Sequence, residues 1–140
     1  MKIAVLERNS VGTDIDVTCF EDFGEVTYYR NTVAADAAEK VKDVDIIIAN
    51  KAPMNEETLK DASHVKLICE FATGFDNIDL EYCKKRGIKV ANVKDYSTAA
   101  VAQHTFALAF YLLEHLPYYD TYVKDGSYGA QDRFSHFDLP

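Results

Sequence analysis

The chain has 140 residues, 48% of them hydrophobic and 27% charged, a composition that supports a folded domain with a real core and excludes disorder as the default state. Its 15 Lys and Arg stand against 23 Asp and Glu, for a net charge of −8, and the basic residues are scattered rather than clustered. Nucleic acid and anionic membranes are therefore poor partners.

Cys19, Cys69 and Cys83 lie far apart with no CxxC pair, and the chain opens on a strand-like run instead of a signal peptide. This pattern predicts a reduced, cytoplasmic protein. Five short apolar runs rich in β-branched residues, 2–7, 25–29, 45–50, 66–73 and 89–93, predict strands. Helix signals fall between them: Thr13 with Asp16 three residues on, Thr32 before an Ala-rich run, Asn55 before Glu56 and Glu57, and Asp79 before 80–86 with Gly87 as a stop. Continuous apolar strands such as Ile46-Ile47-Ile48 belong to sheets covered on both faces, and helical crossovers make the strands parallel. The expected fold class is α/β, a flavodoxin-like doubly wound parallel five-stranded sheet in the order 2-1-3-4-5, with ligands outside the carboxyl ends of the strands.

After Ser97 the pattern changes to a long helix that is apolar on nearly every side and needs to be surrounded. The uncharged stretch from Tyr96 to Leu113 nearly reaches the length of a membrane span, but Ser97, Thr98, Gln103, His104 and Thr105 within it point to a buried helix of a soluble protein. Pro117 should break the helix near Leu116, with two further turns over 118–124 before Gly126 and an irregular tail over 127–140. His104 and His115 fall on this last helix, His64 follows another helix and His136 lies in the tail, all read as structural.

No GxGxxG, P-loop, HExxH or GxSxG string occurs, so the chain shows no nucleotide fingerprint, no metal motif and no candidate catalytic residue. Cys69, inside a strand, reads as a small hydrophobe, and Cys83, beside Lys84 and Lys85, as a thiol with a minor chance of reactivity. The stretch 71–79, Phe-Ala-Thr-Gly-Phe-Asp-Asn-Ile-Asp, leaves the fourth strand through Gly74 and enters a helix. Successive free N–H groups in such a turn form an anion-binding concavity, though a plain strand-to-helix turn capped by Asp79 has the same sequence.

Thr73-Gly74-Phe75-Asp76-Asn77-Ile78-Asp79, then Ala91-Asn92-Val93 and the run from Tyr96 to Thr105, resemble in order and spacing the N-terminal part of the D-isomer-specific 2-hydroxyacid dehydrogenases. Asn50-Lys51 resembles that family's substrate-side loop, and the likeness runs through nearly all of the chain. The resemblance implies substrate binding by Lys51, Thr73 and Gly74, the last two through backbone amides on the substrate carboxylate. It further implies that Thr98, Val101 and Gln103 line the cleft near a nicotinamide, although Thr98 also suits a helix cap.

The same likeness implies a domain division into 1–96, the substrate-binding domain, and 97–140, a linker helix and arm that begin an NAD-binding domain. The family's glycine fingerprint, catalytic Arg, Glu and His would lie beyond Pro140, so the expected function is the substrate-binding part of an NAD-dependent enzyme, catalytically silent as these 140 residues. The expected partners are a small 2-oxo or 2-hydroxy acid and a second copy of the chain, bound through 97–124. A stand-alone carboxylate-binding or protein-interaction module is the alternative.

Overall fold

The computed structural model describes residues 1–132; His136 and the rest of the tail to Pro140 lie outside the described residues. The described chain forms two compact units, Met1–Tyr96 and the segment from Ser97 onward.

The first unit is built on five parallel strands, β1 (Lys2–Val5), β2 (Glu25–Tyr28), β3 (Ile46–Ala49), β4 (Leu67–Glu70) and β5 (Lys89–Ala91), in the order β2-β1-β3-β4-β5. Every expected strand forms, shorter than its apolar run. The helices are α1 (Ala34–Val41), the single turn α2 (Glu56–Leu59) and α3 (Leu80–Arg86). Asn55 and Asp79 cap α2 and α3 by accepting the N–H of Thr58 and of Tyr82. Gly87 ends α3 at φ 70°, a left-handed turn that glycine adopts without steric cost.

Two local expectations fail for the same reason, which is that a short polar side chain finds a nearer partner than a helix end. Asp16 accepts both the N–H and the hydroxyl of Thr18, so the β1–β2 connection folds as two 3₁₀ turns, Arg8–Val11 and Thr18–Phe23, and not as an α-helix. The Thr32 hydroxyl donates to the Leu6 carbonyl at 2.6 Å, which ties the start of α1 to β1 and leaves Val33 in the cap position.

The two faces of the sheet are covered unequally. Ala4, Leu6, Ile47 and Ile68 pack against Ala37 and Val41 of α1, Leu59 of α2 and Cys83 of α3. The opposite face carries Ile3, Val5 and Ile48, with Phe20 of the second 3₁₀ turn packed against them. Next to Phe20 this face is hollowed by an apolar cavity of about 430 Å³, lined by Ile46, Leu67, Cys69 and Phe71 among others.

The second unit consists of α4 (Thr98–Leu113), α5 (Leu116–Lys124) and α6 (Ser127–Ala130). Ser97 precedes α4 without a side-chain cap and Thr98 is its first helical residue, so Thr98 is not the cap. The break falls earlier than Pro117: His115, at φ 48°, separates the two helices and Pro117 sits in the first turn of α5, where a missing N–H costs nothing. His115 thus belongs to the joint between helices. The chain also gains a last turn, α6, in part of the tail expected to be irregular. Among the described residues no helix is long and apolar enough to cross a membrane.

Candidate functional site

In a sheet of this order the crevice opens where neighbouring connections leave on opposite faces, between β1 and β3. The segments that follow β1, β3 and β4 are held together there by buried polar groups. Glu7, just past β1 and only 6% exposed, accepts the N–H of Asn50 at 2.6 Å and the N–H of Lys51 at 3.0 Å. Charge-assisted bonds of this kind are short and are worth about 1.5–3 kcal/mol each. They fix the backbone at the end of β3 and leave the Lys51 side chain exposed.

The next strand ends in a second buried acid, Glu70, 2% exposed. Its Oε2 accepts from Asn77 Nδ2 at 3.2 Å, while Oε1 is buried without a hydrogen-bond partner among the described residues. Burial raises the Glu70 carboxyl from its ordinary 4.5 to about 7; the Asn77 hydrogen bond and the Lys51 charge work against the rise, and the Glu7 charge adds to it.

Asn77 also donates to the Ala52 carbonyl at 3.0 Å. The two loops then run side by side through a parallel bridge between Met54 and Ile78, with the Met54 N–H on the Asn77 carbonyl at 2.8 Å and the Asp79 N–H on the Met54 carbonyl at 2.9 Å. The loop after β3 and the loop after β4 are consequently one hydrogen-bonded piece.

Thr73 and Gly74 lie exposed on that piece. The Thr73 hydroxyl donates to the Val93 carbonyl at 2.9 Å and its carbonyl accepts from Asn92 Nδ2 at 2.8 Å, which ties the turn to the end of β5. Neither the Thr73 N–H nor the Gly74 N–H has an acceptor among the described residues. Lys51, Thr73 and Gly74 thus share the carboxyl end of the sheet, two loops joined by a common brace, with a cation on one and free N–H donors on the other. Such an arrangement can hold a small anion.

Thr98, Val101 and Gln103 are exposed on the first two turns of α4, in the second unit. At about 100° per helical residue, Thr98 and Val101 share a face and Gln103 points about 140° away from Thr98. The residues present do not fit a dinucleotide: Gly74 stands singly after β4, and among the described residues no strand-to-helix turn carries the closely spaced glycines that bring backbone up to a pyrophosphate.

The cysteines take no part in the site. Cys83 faces the core, where burial first and the Asp79 charge second push its thiol up, and burial does the same to Cys69. The Cys83 sulfur is packed in the core while Lys84 and Lys85 beside it are exposed, as expected for a structural thiol. Sequence reasoning missed Glu7, Glu70 and Asn77. The signal for Glu70 was present, as an acid closing the apolar run Leu67-Ile68-Cys69 is an unusual occupant of a covered strand.

The catalytic-domain model of the D-isomer specific 2-hydroxyacid dehydrogenases matches residues 3–133. The chain belongs to this family. It is 31% identical over 144 residues to the hydroxypyruvate reductase of Blautia hydrogenotrophica, spanning 100% of this chain and 45% of that protein. It is 32% identical over 140 residues to the glycerate dehydrogenase of Methylorubrum extorquens, spanning 99% of this chain and 44% of that one. The D-lactate dehydrogenase of Aquifex aeolicus, solved with NAD and lactic acid, has a similar fold with a TM-score of 0.73 and 28% identity, over 95% of this chain and 39% of that chain. The chain thus spans less than half the length of each of these family members.

Proposed function

We propose that this chain is the substrate-binding part of an NAD-dependent D-2-hydroxyacid dehydrogenase, which grips the carboxylate of a small 2-oxo acid at the carboxyl end of the sheet. The observation that carries the reading is the pair of unpaired N–H groups on Thr73 and Gly74, braced to the loop that bears Lys51. Two or three N–H bonds to a carboxylate at about 1.5–3 kcal/mol each suffice to orient it, and Lys51 draws the anion in. In such an enzyme the nicotinamide supplies the hydride that turns a 2-oxo acid into a D-2-hydroxy acid. The residues of this chain do the binding and orienting, and the 140 residues alone are catalytically silent.

Residues 1–96 form the substrate-binding domain, and 97–140 the linker helix and arm of a coenzyme domain, with Thr98, Val101 and Gln103 on the coenzyme side. No residue of α4 is buried, and Phe106, Leu112 and Leu113 are each at least 65% exposed. Soluble monomers rarely leave so large an apolar surface open. A second copy of the chain covers it through 97–124 in this reading.

Titration of the purified chain with glyoxylate, hydroxypyruvate and pyruvate tests the site directly. The expected result is a saturable shift of the Thr73 and Gly74 amide resonances with no oxidation of added NADH. An unmoved Thr73–Gly74 turn up to tens of millimolar of each acid overturns the carboxylate reading, and steady NADH oxidation overturns the silent one. Light scattering should give the mass of a dimer at micromolar concentration.

A further inference from the structure

The Glu70 carboxyl has no role in gripping a substrate, yet it is the most deeply buried charged side chain in the first unit and it lies beneath both loops of the site. An acid in such a place costs stability unless its geometry is needed, because an ionised carboxylate with one oxygen unpartnered loses the solvation of that oxygen. We propose that Glu70 is a positioning residue of this site, holding through Asn77 the loops that carry Lys51 and Thr73–Gly74 and passing its own charge state on to their anion affinity. The proposal rests on the carboxylate-binding reading for its second half only.

The geometry carries the first half. Asn77 has two side-chain N–H bonds, one to Glu70 Oε2 and one to the Ala52 carbonyl, so it spans the two loops with Glu70 as its anchor. Asn77 is also the residue whose carbonyl receives the Met54 N–H. A shift of Asn77 therefore moves both loops together. No other side chain among the described residues bonds across this gap.

Electrostatics carries the second half. The charged groups acting on Glu70 are Glu7, behind the end of β1, and Lys51, behind the end of β3. Asp76 stands exposed on the same loop as Asn77. When Glu70 ionises, a second buried carboxylate joins that of Glu7 at this end of the sheet, and the local field turns against an incoming carboxylate. The charge change falls close to neutral pH because burial holds the Glu70 proton on to about 7. Linkage is reciprocal: an anion that prefers the neutral form raises the proton affinity of Glu70 by the same factor.

The test follows the carboxyl carbon of Glu70 by NMR from pH 5 to 9 in the intact chain, together with the amides of Lys51, Thr73, Gly74 and Asn77. The carboxyl and all four amides are expected to share one midpoint near 7 without any ligand, and Glu70→Gln, which keeps an acceptor for Asn77, is expected to flatten the amide titration without displacing the loops. Glyoxylate should bind about fivefold more tightly at pH 6 than at pH 8 and should raise the Glu70 midpoint by the matching factor; Glu70→Gln should bind it equally at both. Amides that titrate unchanged in Glu70→Gln overturn the proposal, as does a carboxyl midpoint below 5.5. That last readout needs no variant to fold. If glyoxylate binds at no pH while the ligand-free titrations stay linked, the positioning role is upheld and the carboxylate reading alone is overturned.

Discussion

Removing the charge of Glu70 should change how the stability of the first unit depends on pH. A carboxyl moved by burial from 4.5 to about 7 binds its proton more tightly in the folded chain than in the unfolded one. Between those two values the folded state therefore holds more protons, so stability is greatest below about pH 4.5, falls as pH rises through the folded midpoint near 7, and is level above it. A tenfold change in proton affinity is worth about 1.4 kcal/mol, which puts the loss across this window at about 3 kcal/mol. Glu70→Gln has no proton to lose. Urea unfolding of the parent chain and of Glu70→Gln at half-unit steps from pH 5 to 8.5 isolates the difference, since the other carboxylates are common to both. The parent should lose about 3 kcal/mol relative to the variant across the range, with the steepest fall between pH 5 and 7. Parallel profiles would mean that Glu70 is ionised in the fold throughout, and the argument from its burial and unpartnered Oε1 would be wrong.

Glu7→Gln leaves one acceptor for the Asn50 and Lys51 N–H groups and removes the charge from both bonds, and urea unfolding should show a loss of about 2 kcal/mol. Gly24→Ala should cost more than Gly87→Ala in thermal melts: a Cβ at Gly24 runs into the Met1 carbonyl oxygen, whereas at Gly87 nothing lies within 4 Å and only the left-handed φ, about 1–2 kcal/mol, is at stake. A thiol reagent at neutral pH should label exposed Cys19 first and half-buried Cys69 more slowly, and should reach buried Cys83 only in denaturant, with peptide mapping to locate each adduct.

The five strands, the caps at Asn55 and Asp79 and the stop at Gly87 were legible because each rests on a local signal, whereas the order of the strands was only the simplest arrangement for a doubly wound sheet. Thr13, Asp16 and Thr32 misled because a hydroxyl or carboxylate can bond to whichever backbone group tertiary structure brings near, and that choice is made by β1 and by Thr18, not by the helix pattern. Lys51, Thr73 and Gly74 came from the family likeness, not from periodicity. What holds them, Glu7, Glu70 and Asn77, was hidden because its meaning lies in contacts between segments far apart in sequence: Glu7 meets Asn50 and Lys51 across more than 40 residues. The break before α5 was anticipated near Leu116 from Pro117 and falls at His115, two residues before the proline, which is accommodated in the first turn of α5.

The unequal covering of the sheet bears on the order in which the chain can assemble during synthesis. β1 and β2 emerge first, yet Ala4 and Leu6 find their packing partners only in α1, β3 and the helices beyond. β3, α2, β4, α3 and β5 follow one another without interruption, each closing a short loop on the last, and short loops cost the least entropy to close. β1 and β2 pair across a similarly short separation, Lys2 with Glu25, so the costly join is that of the two halves, where Ile3 meets Ile46. On the side opposite the helices, Phe20 of the second 3₁₀ turn covers Ile3, Val5 and Ile48, three side chains that come together only where β1 and β3 lie side by side.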